Sequence, residues 1–237
     1  MEKDVMEWRS PSLGKKMELR IYGESGTPVL AIPTRGKGSL QWEEQGMVDA
    51  ISFQLRNGFN QLFCVESNDD ESFFNKDATP EQRISRHIQY ESYIIEEVVP
   101  RIQEMSDIDF LIVAGVDMGG YHAINLSLKH PTSFGKAIGM SGVYDITPFM
   151  DDFYSDDVYY NNPVDYLPKL KTDRVLEQIR DVDFRLASYY DDPRKDVAYR
   201  LDDILKSKMI DHELDIWKMQ SAGEWDLWQG MIKIHVV

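Results

Sequence analysis

The chain has 237 residues, 42% apolar, 28% charged and 11% aromatic, which describes one ordinary globular domain rather than a fibrous or disordered chain. Cys64 is the only cysteine, so neither a cystine framework nor a cysteine-built zinc site is available. The 26 Lys and Arg against 41 Asp and Glu leave a formal charge of −15, which repels nucleic acid and an anionic membrane surface alike.

No apolar run approaches the ~18 residues of a bilayer span, and the opening MEKDVMEWRS lacks the basic-then-apolar layout of a secretory signal. A soluble cytoplasmic protein is therefore expected. Short apolar runs alternate with helical patterns, as in a parallel sheet with crossover helices. Strands are predicted over Glu7 to Leu13, Met17 to Tyr22 and Pro28 to Ile32, followed by a helix over Gly46 to Leu55 that Asn57-Gly58 stops. Gln61 to Glu66 reads as a buried strand. Thr79-Pro80-Glu81-Gln82 is a capping box with proline at the first helical position, and it opens a helix predicted to reach Met105.

The run Phe110 to Val116 shows no alternation and predicts a central strand covered on both faces. It enters Asp117-Met118-Gly119-Gly120 and a helix over Tyr121 to Lys129. Lys136 to Ser141, Val182 to Tyr189 and Glu213 to Trp217 complete the predicted strands. Residues 144–180 are rich in aspartate and aromatic rings but nearly aperiodic, and they are expected to form a lid-like insertion within a single domain spanning 1–237.

Gly115-x-Asp117-x-Gly119, between a buried strand and a helix, has the spacing of a nucleophile elbow. Such a turn is strained at its centre, and residues two positions away must be small for the backbone to fold so sharply. The alternative is a tight strand-to-helix turn with packing glycines and no chemistry.

Around this elbow the sequence resembles the esterase D-like family of esterases, within the α/β-hydrolase fold. Trp8-Arg9-Ser10-Pro11, Pro33-Thr34, Gln61 to Val65, Gly119 to Ala123, Ser141 to Asp145, Asn162 to Pro168 and Trp225-x-x-Trp228 carry the resemblance in collinear order. It implies a mostly parallel α/β sheet of about eight strands flanked by helices, and a Ser-His-Asp hydrolase ancestry. Two departures stand out. Asp117 occupies the elbow serine's place, and Gly223-Glu224-Trp225 lies over the family's His-Asp-Trp, so Gly223 takes the place of the general base. Asp191 or Asp192 falls at the position of the triad acid.

Carboxylate nucleophiles at an elbow exist, but they need an imidazole to activate water. None of His87, His122, His130, His212 or His235 falls in the loop after the last strand. Glu224 as a substitute base would crowd a third negative charge beside Asp117 and Asp192, which calls for a cation or a shared proton. The expected oxyanion-hole donors are the amide of Met118 and those of Thr34, Arg35 and Gly36, which could instead bind the Asp117 carboxylate. The leading expectation is a catalytically degenerate homologue that binds an unidentified small ligand or protein partner. A hydrolase using Asp117 comes second, and an ester hydrolase using another nucleophile, with Ser141 the candidate, comes third. No cofactor and no metal are expected. Tyr154, Tyr159 and Tyr160 suit a partner or homo-oligomer interface.

Overall fold

In the computed structural model, described for residues 3–171, 173–218 and 223–237, eight strands form one sheet in the order β1-β2-β4-β3-β5-β6-β7-β8. They are β1 Lys3–Arg9, β2 Lys16–Tyr22, β3 Thr27–Ile32, β4 Asn60–Val65, β5 Ile112–Val116, β6 Lys136–Met140, β7 Asp183–Tyr189 and β8 His212–Trp217. β1 and β2 are antiparallel, and β2 meets β4 antiparallel. Every later neighbour is parallel. This is the α/β-hydrolase arrangement that the sequence predicts.

Although β5 is apolar throughout, its residues still alternate between two cores, as strand geometry requires. Val113 joins Leu30, Phe63 and helical residues Ile94, Val98 and Leu201 on one face. Ile112, Ala114 and Val116 join Trp42, Met47, Trp228 and Met231 on the other. Both faces of the central strands are thereby removed from water, and the loops at their C-terminal ends are left to form a site.

The first strand lies earlier than predicted. It ends at Arg9 because Ser10 to Lys15 closes a turn, with the Ser10 amide donating to the Lys15 carbonyl at 2.8 Å, and because Pro11 has no N–H for a ladder. Glu97 fastens this turn, accepting from Trp8 Nε1 at 2.7 Å, Ser10 Oγ at 2.7 Å and the Ser12 amide at 3.0 Å. β5 is likewise shorter than the apolar run, starting at Ile112 while Phe110 is left partly exposed. The helix predicted over Gly46 to Leu55 is two short ones, Met47–Ala50 and Ser52–Arg56, broken at Ile51.

The capping box forms as read, the Thr79 hydroxyl accepting from the Gln82 amide and the Gln82 side chain accepting from the Thr79 amide. Thr79→Ala is expected to cost about 1 kcal/mol, measured as a lower urea midpoint. The helix reaches Met105 as predicted, but its winding is not uniform. After Pro80–Ser92 comes a wider, π-type turn at Tyr93–Val98, then Val99–Met105. Pro100 lacks an amide hydrogen and crowds the carbonyl four residues earlier, and the widened turn makes room for it. The segment 144–180 packs Tyr144, Ile146, Met150, Val158, Val164, Leu167 and Ile179 inward and holds only short helices; position 172 lies outside the described residues.

Candidate functional site

At the end of β5 the chain turns through Asp117 into the helix Met118–Lys129. Asp117 has φ 55° and ψ −117°, a strained conformation for a residue with a side chain. Close packing explains the glycines. A Cβ on Gly115 would lie 2.1 Å from the Gly119 carbonyl oxygen, and one on Gly119 would lie 2.3 Å from that of Ile32. The Asp117 amide donates to the Met140 carbonyl at 2.9 Å, tying the turn to β6.

The Asp117 carboxylate is met by Arg194, whose Nη1 donates to Oδ1 at 2.7 Å. The same guanidinium donates through Nε to Asp192 Oδ1 at 2.8 Å and through Nη2 to Glu224 Oε1 at 2.8 Å. One arginine therefore bridges the elbow residue Asp117, the acid after β7 and the glutamate that follows Gly223. This is the cation that three neighbouring carboxylates require, and it comes from the chain itself.

Of the two aspartates after β7, Asp192 is the one turned inward. Its side chain is fully buried, whereas Asp191 is exposed. It accepts from Ser188 Oγ at 2.9 Å and from the Arg194 amide at 2.9 Å. Burial by itself would raise the Asp192 carboxyl, but hydrogen bonds from Ser141 and from the Arg194 amide and guanidinium outweigh it and hold the group below the ordinary aspartate value. Burial works against the charge of Arg194 too, yet its bond to Asp192 and the charges of Asp192 and Asp117 hold it protonated above the usual arginine value. Tyr189 donates to Glu224, which opens the helix Glu224–His235 and keeps its side chain partly exposed. Residues 219–222, just before the Gly223 position, lie outside the described residues.

The loop after β3 spends two of its amides internally. The Thr34 amide donates to Gln41 Oε1 at 2.8 Å and the Gly36 amide to Ser67 Oγ at 3.2 Å. Arg35 lies over the Phe74 ring and pairs with Asp70 at 3.1 Å. Met118, first in the elbow helix, is buried. Ser141 is buried with φ 50°, its hydroxyl accepting from Trp228 Nε1 at 3.0 Å.

His122 packs inside, its Nε2 2.8 Å from Asp69 Oδ1, while Asp69 Oδ2 accepts from Ser67 Oγ at 2.6 Å. Burial opposes the charge on Asp69, but the charge and hydrogen bond of His122, together with the Ser67 bond, keep its carboxyl low. His87 stacks on His122 at 5.4 Å. Burial and the His122 charge push His87 down to about 3, so it is neutral at pH 7. Among the described residues no imidazole is hydrogen-bonded to Asp117, and no group of three or more His, Cys, Asp or Glu side chains could hold a metal ion.

Sequence reasoning missed Arg194 and Asp69. A signal for the first was present in Asp192-Pro193-Arg194, because an aspartate that accepts from the amide two residues on makes an Asx turn. That turn folds the arginine back over the carboxylate.

The sheet order and the strand-to-helix turn at Asp117 are those of an α/β-hydrolase-fold protein. A family model described as "Putative esterase" matches residues 40–234, and the chain belongs to that family. No curated protein sequence matches it. Among solved structures, a ferulic acid esterase is similar at 16% identity and a TM-score of 0.75, over 98% of this chain and 95% of that one. An S-formylglutathione hydrolase from Agrobacterium tumefaciens is similar at 16% identity and a TM-score of 0.75, over 99% and 92%. MPT51 (FbpC1) of Mycobacterium tuberculosis is similar at 16% identity and a TM-score of 0.72, over 98% and 96%. Within the described residues no helix is long and apolar enough to cross a membrane.

Proposed function

We propose that this protein is a catalytically degenerate esterase homologue that works by binding a ligand or a protein partner. The carrying observation is the Arg194 bridge from Asp117 to Asp192 and Glu224. A guanidinium stays protonated at any physiological pH, so it cannot take a proton from water or from a nucleophile. It also neutralises the Asp117 carboxylate and occupies one of its oxygens, which weakens that oxygen as a nucleophile. Asp192, in the place of the triad acid, orients an arginine instead of an imidazole.

One observation favours the second reading, a hydrolase attacking through Asp117. The strained elbow backbone persists although the residue there is an aspartate, and strain of this kind clusters at sites of chemistry. p-Nitrophenyl acetate separates the two. Attack by Asp117 would expel p-nitrophenolate and leave an acyl anhydride on the carboxylate, which water must then clear. The expected result is p-nitrophenolate release at the background rate of surface nucleophiles, unchanged in Asp117→Asn, and likewise no turnover of S-formylglutathione, the substrate in one neighbour's name. A rate in the ordinary enzyme range that Asp117→Asn abolishes would overturn the proposal and establish the second reading.

A further inference from the structure

The strand order leaves two outer strands, β1 and β8, and their charges differ in kind. β8 carries Glu213 and Asp215 but no Lys or Arg, so no register of it against a copy sets opposite charges together. β1 reads Lys3-Asp4-Val5-Met6-Glu7-Trp8-Arg9, with both signs, and it is exposed along most of its length, Val5 at 42%. An edge of unpaired N–H and C=O groups is a template for another strand unless something blunts it. β1 contains no proline and pairs with β2 without a bulge.

In an antiparallel pair every second residue turns its N–H and C=O away from the neighbouring strand. The Val5 amide donates to Asp4 Oδ1 at 2.7 Å rather than to β2, which marks Lys3, Val5, Glu7 and Arg9 as the outward set. Residues opposite each other across a two-fold join must lie on the same face of the sheet, so the axis passes through a single residue. Its position decides which charges meet. Through Asp4 or Glu7 it would set a carboxylate against its own copy, and through Met6 it would set Lys3 against Arg9. Through Trp8 or Arg9 it would leave too short an overlap, because the chain turns away at Ser10. Through Val5 it sets Lys3 against Glu7 on both sides of the axis and joins two exposed valines. Opposite charges and β-branched pairs directly across a join stabilise it, whereas like charges destabilise it.

We propose that β1 pairs with β1 of a second copy of this chain, antiparallel about Val5, to make one continuous sheet across two protomers. Val5 exchanges both backbone bonds with its copy, and Lys3 and Glu7 exchange theirs crosswise. The Val5 amide leaves the Asp4 carboxylate for the partner's carbonyl. Glu7 already pairs with Lys16 at 2.7 Å, and Lys3 with Glu43, so the join completes a row of alternating charge from Lys16 and Glu7 to the partner's Lys3 and the partner's Glu43. β1 lies four strands from β5, so the elbow stays open in both copies and the inference stands whatever the elbow does.

Sedimentation equilibrium of the full chain between about 1 mM and about 1 μM should show a reversible monomer–dimer equilibrium. Val5→Pro removes the outward amide at the axis and spares the bonds to β2, so it should give a monomer with an unchanged circular dichroism spectrum. Lys3→Glu and Glu7→Lys should each weaken self-association about ten-fold. An equimolar mixture of those two variants should recover it, because each reversed side chain then meets an opposite charge across the join. Val5→Cys should cross-link two chains on mild oxidation, since the α-carbons of a directly bonded pair lie about 5.5 Å apart, and Cys64 is buried and does not compete. Glu7→Cys, about 14 Å from its own copy, should not. The proposal is overturned by a monomer at every concentration, by a dimer that survives Val5→Pro, by a mixture of the charge variants that associates no better than either alone, or by Val5→Cys cross-linking no faster than Glu7→Cys. Should Val5→Pro fail to fold, the mixing experiment and the two cysteine variants still decide it.

Discussion

Arg194→Met is expected to destabilise the protein by about 2–4 kcal/mol at pH 7. Removing one partner of a fully buried ion pair costs about 3–5 kcal/mol, and the figure is reduced here because Asp117 and Glu224 reach solvent. Most of the loss comes from Asp192, whose buried carboxylate keeps its burial penalty but loses the guanidinium. The pH dependence follows with a definite sign. In the intact protein the Asp192 carboxyl is depressed, so its stabilisation is present above the unfolded value of about 3.9 and fades as pH falls through the lower folded value. In Arg194→Met burial favours the neutral acid, so the penalty grows as pH rises above about 4. Urea midpoints should therefore differ widely at pH 7 and converge near pH 4. Asp192→Asn in the Arg194→Met background should restore part of the lost stability by removing the orphaned charge. A gap of equal size at both pH values would show that Arg194 acts by packing alone.

Gly115→Ala is expected to cost about 3 kcal/mol, the upper part of the range for overpacking, and to lower the urea midpoint accordingly. The added methyl would meet the Gly119 carbonyl oxygen at 2.1 Å and its carbon at 2.2 Å, both backbone atoms that no rotamer change can move. Gly115 also pairs with Ile32 on one side and Gly139 on the other, so its strand cannot retreat without disturbing two ladders. Gly38→Ala is the control. Nothing lies within 4 Å of its added methyl, and a change within about 0.5 kcal/mol is expected. Equal midpoints for Gly115→Ala and the unaltered protein would refute the steric account of the elbow.

Much of the frame was legible in the sequence because its causes are local. The run Ile112 to Val116 forms a strand buried on both faces, and Thr79 with Gln82 forms its reciprocal cap, since each depends on residues a few positions apart. Errors gathered where a local pattern competed with a more distant contact or a single strong residue. The π-type turn at Tyr93–Val98, ahead of Pro100, lies within a helix that does reach Met105, and the apolar period does not announce it. Leu13, apolar like a strand residue, belongs instead to the Ser10 to Lys15 turn that Glu97 fastens from 85 to 89 positions away.

The site divides along the same line. Sequence by itself determined that Asp117 stands between Gly115 and Gly119 at a strand-to-helix turn and that two aspartates follow β7, while the place of Gly223 was only what the family resemblance implied. It also determined that a cation or a shared proton was required, because three carboxylates in one pocket repel. Only the tertiary structure decided that the cation is Arg194, which lies 77 positions from Asp117 and 30 from Glu224. An arginine side chain has many rotamers of similar intrinsic energy, and spacing along the chain does not choose among them. The choice is made by the electrostatic field of carboxylates delivered from three separate strand ends, and that field exists only once the sheet has assembled.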